Sequence, residues 1–358
     1  MKKKIVSIGI VLCLGFVTAC GNTSETTVVE NTSEVSMEQE SVVTEETNEA
    51  SVLESVNEAI ENGNYDEAMS ILESSQSKME TDEYAIKVSN IHLYKNDYVA
   101  AADVLVEKIK ETDSAVLKDR LEYIRESVRL VEANAYDENG NLSYTSVYEY
   151  DTQGNLTKRT ELDAEGNVSQ SHEFEYDDKG NKTKSFGMDG SGSTYVSLYE
   201  NEYDSNGALT KVATCSEDGT IDFLEEYDDN GNVVLMTCYQ DNNPFSYYKY
   251  TFDDKGNETS VEFEYISGEY EGSLTSYEYT EENGIIKKVG YDKDGNIECT
   301  MEYDEYGNTL KDDSMGFAVL EYKYDSLNKQ IYNSMIGEGI MIISNIENTY
   351  EFVGTIEE

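Results

Sequence analysis

The chain has 358 residues, with 74 acidic and 26 basic side chains, a formal net charge of −48, 29 tyrosines and no tryptophan. Binding of nucleic acid needs a cationic surface, so this charge argues against a nucleic-acid partner. High net charge with low hydrophobicity is typical of disordered chains, but an aromatic content of 11% is too high for one. We therefore expect folded parts that cover those rings.

The N-terminus has the pattern of a secretory signal over residues 1–19. Three lysines at positions 2–4 precede an apolar stretch from Ile5 to Val17, which is short for a transmembrane helix. The string Val17-Thr18-Ala19-Cys20 resembles the lipobox of bacterial lipoproteins. That resemblance implies cleavage before Cys20, a lipid on its sulfur, and an extracytoplasmic protein anchored to the cell membrane or outer membrane. The alternative is an ordinary signal peptide followed by a chance cysteine.

Residues 20–50 have the composition of a disordered tether. The stretch from Gly21 to Ala50 contains eight glutamates, no basic residue and many serines and threonines. Like charges repel, so we expect an extended segment between the anchor and the folded part.

Residues 51–134 have apolar side chains at helical spacing and contain an internal repeat. The stretch Asn62–Ala68 superimposes on Lys95–Ala101 when the sequence is aligned with itself. Each copy has a polar turn, a tyrosine and then an alanine. The segment resembles the tetratricopeptide repeat, whose second-helix positions are matched by Tyr65, Ala68 and Leu72, and again by Tyr98, Ala101 and Leu105.

A third helix is predicted from about Ser114 to Ala133, with apolar positions that include Val128 and Val131. The alternative interpretation of the whole segment is a plain helical bundle with a coincidental repeat. In either case we expect a protein-contact or spacer module, in which His92 is a surface or helix-packing residue.

From residue 135 to 358 the period changes to two, and a short motif recurs. The string aromatic-Asp-x-x-Gly occurs eight times, and asparagine follows the glycine in all but one copy, where Ala208 stands. The eight copies begin at Tyr136, Tyr150, Tyr176, Tyr203, Tyr227, Phe252, Tyr291 and Tyr303. Aspartate opens a type I turn and glycine adopts the left-handed conformation that closes a bulged hairpin.

Aromatic and aliphatic residues alternate with polar ones on both sides of these turns, as in Tyr148 and Tyr150. This alternation predicts strands with one aromatic face and one charged face. The fold class is therefore α+β: a helical-hairpin, tetratricopeptide-like module followed by an antiparallel β-meander that is twisted or curls on itself.

The β-region resembles the YD repeat of the Rhs family of bacterial surface and toxin proteins. The resemblance rests on strings such as Tyr150-Asp151-x-x-Gly154-Asn155 and Tyr176-Asp177-x-x-Gly180-Asn181. It implies β-hairpins arranged in a spiral, shell or sheet at the cell surface. The units are longer and less regular here than in that family.

Three cysteines remain once Cys13 and Cys20 are assigned to the signal and the lipid. The spacing between Cys215 and Cys238 is close to the length of one β-repeat, so they are candidates for a disulfide between neighbouring units. The alternative is that both, like Cys299, are buried free thiols.

The sequence contains no clear pattern for calcium binding or catalysis. The acidic turn from Asp292 to Asn296 does not fit the EF-hand ligand pattern, and turn-forming aspartate explains it better. No pair of carboxylates stands out as a glycosidase acid and base, and His172 alternates with Phe174 as a packed or rim residue. We therefore predict no catalytic residue, no metal site and no cofactor.

The sequence predicts a non-catalytic binding or scaffold protein, held at the membrane through lipid on Cys20. Its β-repeat surface would engage a carbohydrate, a cell-wall polymer or another protein, because aromatic rings stack on sugar faces. The alternative is an immunity-type lipoprotein that neutralises a basic toxin, for which the negative charge would accelerate encounter.

Overall fold

The computed structural model describes residues 49–268, 272–337 and 340–356. The predicted signal, Cys20 and nearly all of the predicted tether therefore lie outside the described residues. Five α-helices come first: α1 (Glu49–Glu61), α2 (Tyr65–Ser75), α3 (Thr81–Tyr94), α4 (Tyr98–Thr112) and α5 (Ala115–Ser127). A short 3-10 turn, Gln76–Lys78, joins α2 to α3. No helix in these described ranges is long and apolar enough to cross a membrane.

The helices pack around the residues that the internal repeat singled out. Ala68 and Leu72 of α2 are fully buried in one apolar cluster, and Ala101 and Leu105 of α4 are fully buried in a second. Small alanines at equivalent positions allow close approach of neighbouring helices. The packing agrees with a repeated helical hairpin, while the likeness to tetratricopeptide repeats remains a resemblance.

Eighteen strands follow within the described ranges. They are β1 (Val128–Tyr136), β2 (Leu142–Tyr150), β3 (Leu156–Asp163), β4 (Val168–Tyr176), β5 (Lys182–Met188), β6 (Thr194–Tyr203), β7 (Leu209–Ser216), β8 (Ile221–Tyr227), β9 (Val233–Gln240), β10 (Asn243–Phe252), β11 (Glu258–Tyr265), β12 (Ser273–Glu282), β13 (Ile285–Tyr291), β14 (Ile297–Tyr303), β15 (Thr309–Asp312), β16 (Ala318–Tyr324), β17 (Gln330–Gly337) and β18 (Ile340–Phe352).

The meander closes on itself. Each strand pairs antiparallel with the next, and β1 also pairs antiparallel with β18, so that Ala133 lies opposite Asn348. The sheet is therefore a closed barrel of 18 strands, with no free edge among the described strands. The predicted antiparallel meander is confirmed. It curls into a closed ring because β1 pairs with β18.

The junction between the two parts differs from the prediction. The third helix was expected to continue to about Ala133, but α5 ends at Ser127, and Val128 and Val131 belong to β1. Val128 and Val131 are in a strand because the backbone of β1 pairs with β18, near the far end of the chain. The spacing of apolar residues within this segment carries no information about so distant a partner. At the other end α1 starts at Glu49, where a tether was expected to run to residue 50.

The repeated turns have the predicted geometry, as Asp151 illustrates. Its Oδ1 accepts hydrogen bonds from the backbone N–H groups of Gln153 and Asn155, at 2.9 and 2.8 Å. Gly154 has a φ of +90°, and the N–H of Asp151 donates to the carbonyl of Asn155 at 3.0 Å. The register shifts just before the motif aromatic, as expected for a bulged type I hairpin.

Because the strands alternate in direction, the turns form two ends. The end that α5 enters is called the proximal end here, and it carries turns such as 151–155 and 325–329. The opposite end, with turns such as 137–141 and 292–296, is called the distal end. At the proximal end, Arg125 Nε donates to the carbonyl of Ser326 at 2.9 Å, and Leu327 is buried in the helical cluster that contains Leu105.

Candidate binding surface on the closed sheet

Register places most strand tyrosines on one side of the sheet, the aromatic face. Residues that lie opposite each other on paired strands point to the same face. Met236, Tyr248 and Phe263 are paired in this way across β9, β10 and β11. Carried around the closed sheet, the same rule gives a face that includes Tyr144, Tyr148, Tyr150, Phe174, Tyr176, Tyr199, Tyr203, Tyr227, Tyr248, Tyr250, Phe263, Tyr277, Tyr279, Tyr303, Tyr322, Tyr324 and Tyr350.

The opposite side, the charged face, has cross-strand ion pairs. Lys158 and Glu173 lie 2.9 Å apart on β3 and β4, and Lys211 and Glu226 lie 3.1 Å apart on β7 and β8. Both pairs are solvent-exposed enough that each stabilises the fold only weakly. They give the charged face its solvated, ionic character.

The aromatic face is the more buried of the two. The buried strand residues on it are Val128, Ala133, Ala135, Ser146, Ser185, Gly187, Val212, Cys238, Ser246, Lys288, Gly290, Ala318 and Ser344. Only Cys215 and Ser334 are buried on the charged face of the described strands. Side chains converge on the concave side of a closed sheet, so we infer that the aromatic face lines the inside.

The inside is not a packed core. No tyrosine or phenylalanine of the described strands is buried; nearly all are half-buried, and the two apolar clusters lie among the helices and the sheet residues that contact them. A ring of 18 strands spaced about 4.8 Å apart and tilted by about 40° has a diameter of about 36 Å. Opposing side chains do not fill such a width, so the rings face an open interior.

Several tyrosines on the aromatic face have their hydroxyls held by the neighbouring strand. Tyr150 donates to the carbonyl of Leu130 at 2.8 Å, and Tyr176 donates to that of Leu156 at 2.7 Å. Tyr279 donates to the carbonyl of Glu258 at 2.9 Å. These hydrogen bonds fix each ring against the adjacent strand.

Burial raises the pKa of these phenols. For Tyr203, burial and the hydrogen bond to the Asp177 carboxylate raise the pKa to about 12. For Tyr277 and Tyr279, burial and the nearby carboxylate of Glu258 raise the pKa well above its ordinary value. The phenols of Tyr203, Tyr277 and Tyr279 are therefore neutral at physiological pH and act as hydrogen-bonding rings.

A largely covered polar group on the aromatic face is centred on Lys288. Its Nζ lies 2.8 Å from Oε2 of Glu258 and 3.7 Å from the centroid of the Tyr277 ring. The lysine side chain is only 11% exposed. Sequence reasoning missed this group, because its members are far apart in the chain and the ion pair reaches across an intervening strand.

His172, which was expected to be packed or at the rim, lies on the aromatic face. Its Nδ1 is 3.2 Å from the hydroxyl of Tyr195, and its ring stacks on Phe174 at 6.5 Å. His92, expected at a surface or helix contact, lies in α3 with Nδ1 3.6 Å from a carboxylate oxygen of Asp97.

The three cysteines among the described residues, Cys215, Cys238 and Cys299, are free thiols. Cys215 and Cys238 are both buried, but they stand on β7 and β9 with β8 between them, so the candidate disulfide is not formed. Among the described residues no group of three histidine, cysteine or carboxylate side chains is placed to hold a metal ion. The Asp292 carboxylate accepts from the backbone N–H groups of Asp294 and Asn296, which is its turn-forming role.

No protein-family model and no curated protein is similar enough to this sequence to count as a match. Among solved structures, the Tc holotoxin pore of Photorhabdus luminescens matches 57% of this chain and 14% of its own, with 13% identity and a TM-score of 0.22. A porin-like protein from Bacteroides uniformis ATCC 8492 matches 62% of this chain and 96% of its own, with 12% identity and a TM-score of 0.33. This chain thus spans about one seventh of the toxin chain, and similarity at these scores does not bear on function.

Proposed function

We propose that this protein is an extracytoplasmic, lipid-anchored and non-catalytic binding protein that holds a carbohydrate chain against its aromatic face. The observation that carries the proposal is the recurrence of half-exposed tyrosine rings on many strands around the inside of an unfilled closed sheet. Cys20 would carry the lipid anchor.

The chemistry of the aromatic face suits sugars. Flat tyrosine rings stack on the C–H faces of pyranoses, and hydroxyl and amide groups between the rings supply hydrogen bonds. Ser185 and Tyr199 hydroxyls lie 3.1 Å apart on this face, and Asn201 lies beside them. The wide interior suits a polymer or a branched glycan better than a small molecule.

The partners of three carboxylates on this face favour binding over hydrolysis. Glu258 is paired with Lys288, Glu161 lies 3.4 Å from Arg159, and Glu225 accepts from the hydroxyl of Tyr227 at 2.7 Å. A glycosidase needs two carboxyl groups that face one bond, with one of them free to deliver a proton. These three carboxylates are instead held by neighbouring donors. The same negative charge favours neutral or amino sugars over acidic ones.

A binding assay with matched variants tests the proposal. The protein would be incubated with insoluble peptidoglycan, chitin and cellulose, and the bound fraction measured for the wild type, Tyr248→Ala and Tyr247→Ala. Tyr248 is on the aromatic face, with its ring 4.7 Å from that of Phe263, whereas Tyr247 is the adjacent residue on the charged face. Circular dichroism would confirm that both variants are folded.

We expect Tyr248→Ala to weaken binding to one polymer about tenfold, which corresponds to about 1.4 kcal/mol, and Tyr247→Ala to leave it unchanged. Equal effects of the two substitutions, or no binding to any polymer, would contradict the proposal. The anchor is tested separately: Cys20→Ala should abolish acyl labelling and release the protein from membranes.

A further inference from the structure

The distal end of the closed sheet has an unusual concentration of exposed apolar side chains. Most of the large apolar side chains that are exposed in the described part of the chain lie at or near distal strand ends and turns. This set, called the distal rim, consists of Val168, Phe186, Tyr195, Phe223, Phe245, Ile266, Leu274, Ile297, Met315, Phe317, Ile336, Met341 and Ile342. Its members occur from β4 to β18 and so follow most of the ring.

The chemistry of the charged face changes along the strands toward this rim. Lys184 of β5 pairs with Glu175 at 3.5 Å, but Phe186, the next side chain on that face toward the distal end, lies opposite Val196. On β17 and β18, Ile336 lies opposite Met341, and the latter is 62% exposed. The ionic pairs thus give way to apolar side chains that are exposed to water, and a concentration of exposed apolar side chains of that kind usually marks an interaction site.

The turns between the rim residues are acidic. The distal turns carry Asp137, Glu138, Asp163, Glu165, Asp189, Glu217, Asp218, Asp241, Asp292, Asp294 and Asp313, and Lys293 is the basic residue among the described distal turns. The distal rim is therefore an apolar surface set in strong negative charge. A partner must offer apolar contact and positive charge together.

We propose that the distal rim binds a basic polypeptide with an apolar face. The charge decides between the possible occupants. Bacterial bilayers are commonly anionic and would be repelled by the distal turns, and a second copy of this chain would bring the same negative charge. A cationic amphipathic segment can contact the apolar side chains of the rim and pair with the acidic turns between them. The negative electrostatic potential of those turns would also accelerate its association. This proposal does not depend on carbohydrate binding at the aromatic face.

The test uses three synthetic peptides of equal length, built from lysine and leucine, from glutamate and leucine, and from lysine and serine. The first has a basic helix with an apolar face, and each of the others lacks one of those two properties. Fluorescence anisotropy would give the dissociation constants for the full-length protein and two triple variants. Phe245→Ser/Leu274→Ser/Ile297→Ser alters the distal rim. Ile285→Ser/Ile331→Ser/Val353→Ser removes three exposed apolar side chains at the proximal end and is the matched control.

We expect the lysine–leucine peptide to bind at least tenfold more tightly than either other peptide, with an affinity that falls as salt is raised. The distal variant should lose at least tenfold of that affinity, and the proximal variant should keep it. Equal binding by the two variants, or equal binding of the glutamate–leucine peptide, would overturn the proposal. Two further results would also overturn it. One is binding to phosphatidylglycerol vesicles, but not to the peptide, that is lost in the distal variant. The other is a dimer in analytical sedimentation that is lost in the distal variant.

Discussion

Nζ of Lys288 lies 2.8 Å from Oε2 of Glu258, although the two residues stand on β13 and β11 with β12 between them. The pair is mostly covered, since its side chains are 11% and 20% exposed. It crosses over the strand that carries Tyr277, whose ring lies beneath the ammonium group. The ion pair therefore links three consecutive strands on the aromatic face, and the position of the Tyr277 ring depends on it.

Glu258→Gln should destabilise the protein because it leaves the Lys288 ammonium covered and without its anionic partner. We expect a loss of about 2 kcal/mol in the free energy of unfolding, measured by urea denaturation. The matched control is Glu175→Gln, which removes the partner of Lys184 from an exposed pair and should cost less than about 1 kcal/mol. Equal losses in the two variants would show that the covered pair has no special role.

The sequence predicted the local parts of this fold well, because they depend on local chemistry. The Asp151 turn follows from the conformations that aspartate and glycine favour, and the two faces follow from alternation. Even Asn328, which stands in the turn 325–329 at the position that glycine occupies in the full motif, has the left-handed φ of +59°. The Val128 strand, the β1–β18 closure and the Glu258–Lys288 pair could not be predicted, because each depends on a partner in another element. The partial exposure of the tyrosine rings follows from closure of the sheet, so it could not be predicted from the sequence either.

The repeated turns predict how stability responds to acid. The side-chain amide of Asn155 and the backbone N–H groups of Asn155 and Gln153 lower the pKa of Asp151. The pKa values of Asp137, Asp253 and Asp292 in equivalent turns are also lowered. A carboxyl whose pKa is lower in the folded state stabilises the fold above its unfolded pKa of about 3.8. That contribution is lost as pH falls through the folded-state pKa.

We therefore expect the melting temperature to be nearly constant from pH 7 to pH 5 and to fall steeply below pH 4. The melting temperature should be measured in 0.5 M salt. Acid also relieves the general repulsion among the many carboxylates, and salt screens that repulsion so that the effect of the turns can be seen. Asp228→Asn keeps a side-chain oxygen for the turn but removes one titrating group, so its stability should depend less on pH. A melting temperature independent of pH down to pH 3 would contradict this account.

Gly290 predicts a steric limit on the aromatic face. A methyl group added there would lie 2.6 Å from Sγ of Cys299 and 3.0 Å from the Tyr277 ring. Gly290→Ala should therefore cost about 1–3 kcal/mol of unfolding free energy. Cys299→Ala removes the nearest atom, so the double variant should recover part of that loss. Strictly additive effects would show that the two residues are not in contact.

Closure of the sheet can be tested by a cross-link. Asn134 on β1 and Glu347 on β18 lie opposite each other. Asn134→Cys with Glu347→Cys should give a cross-linked peptide in mass spectrometry after mild oxidation or treatment with a short bismaleimide. Asn134→Cys with Glu264→Cys, whose strand is not a neighbour of β1, is the control and should give none. A link in both variants, or in neither, would contradict a closed sheet.

The absence of tryptophan from the chain allows the most direct test of the carbohydrate proposal. Tyr248→Trp places a single indole on the aromatic face, and Tyr247→Trp places one on the charged face as the control. Soluble fragments of the polymer that the protein retains would be titrated while tryptophan fluorescence is recorded. We predict a saturable change in intensity and wavelength for Tyr248→Trp and none for Tyr247→Trp. A response of Tyr247→Trp alone, or saturable binding that leaves both indoles unchanged, would contradict binding at the aromatic face.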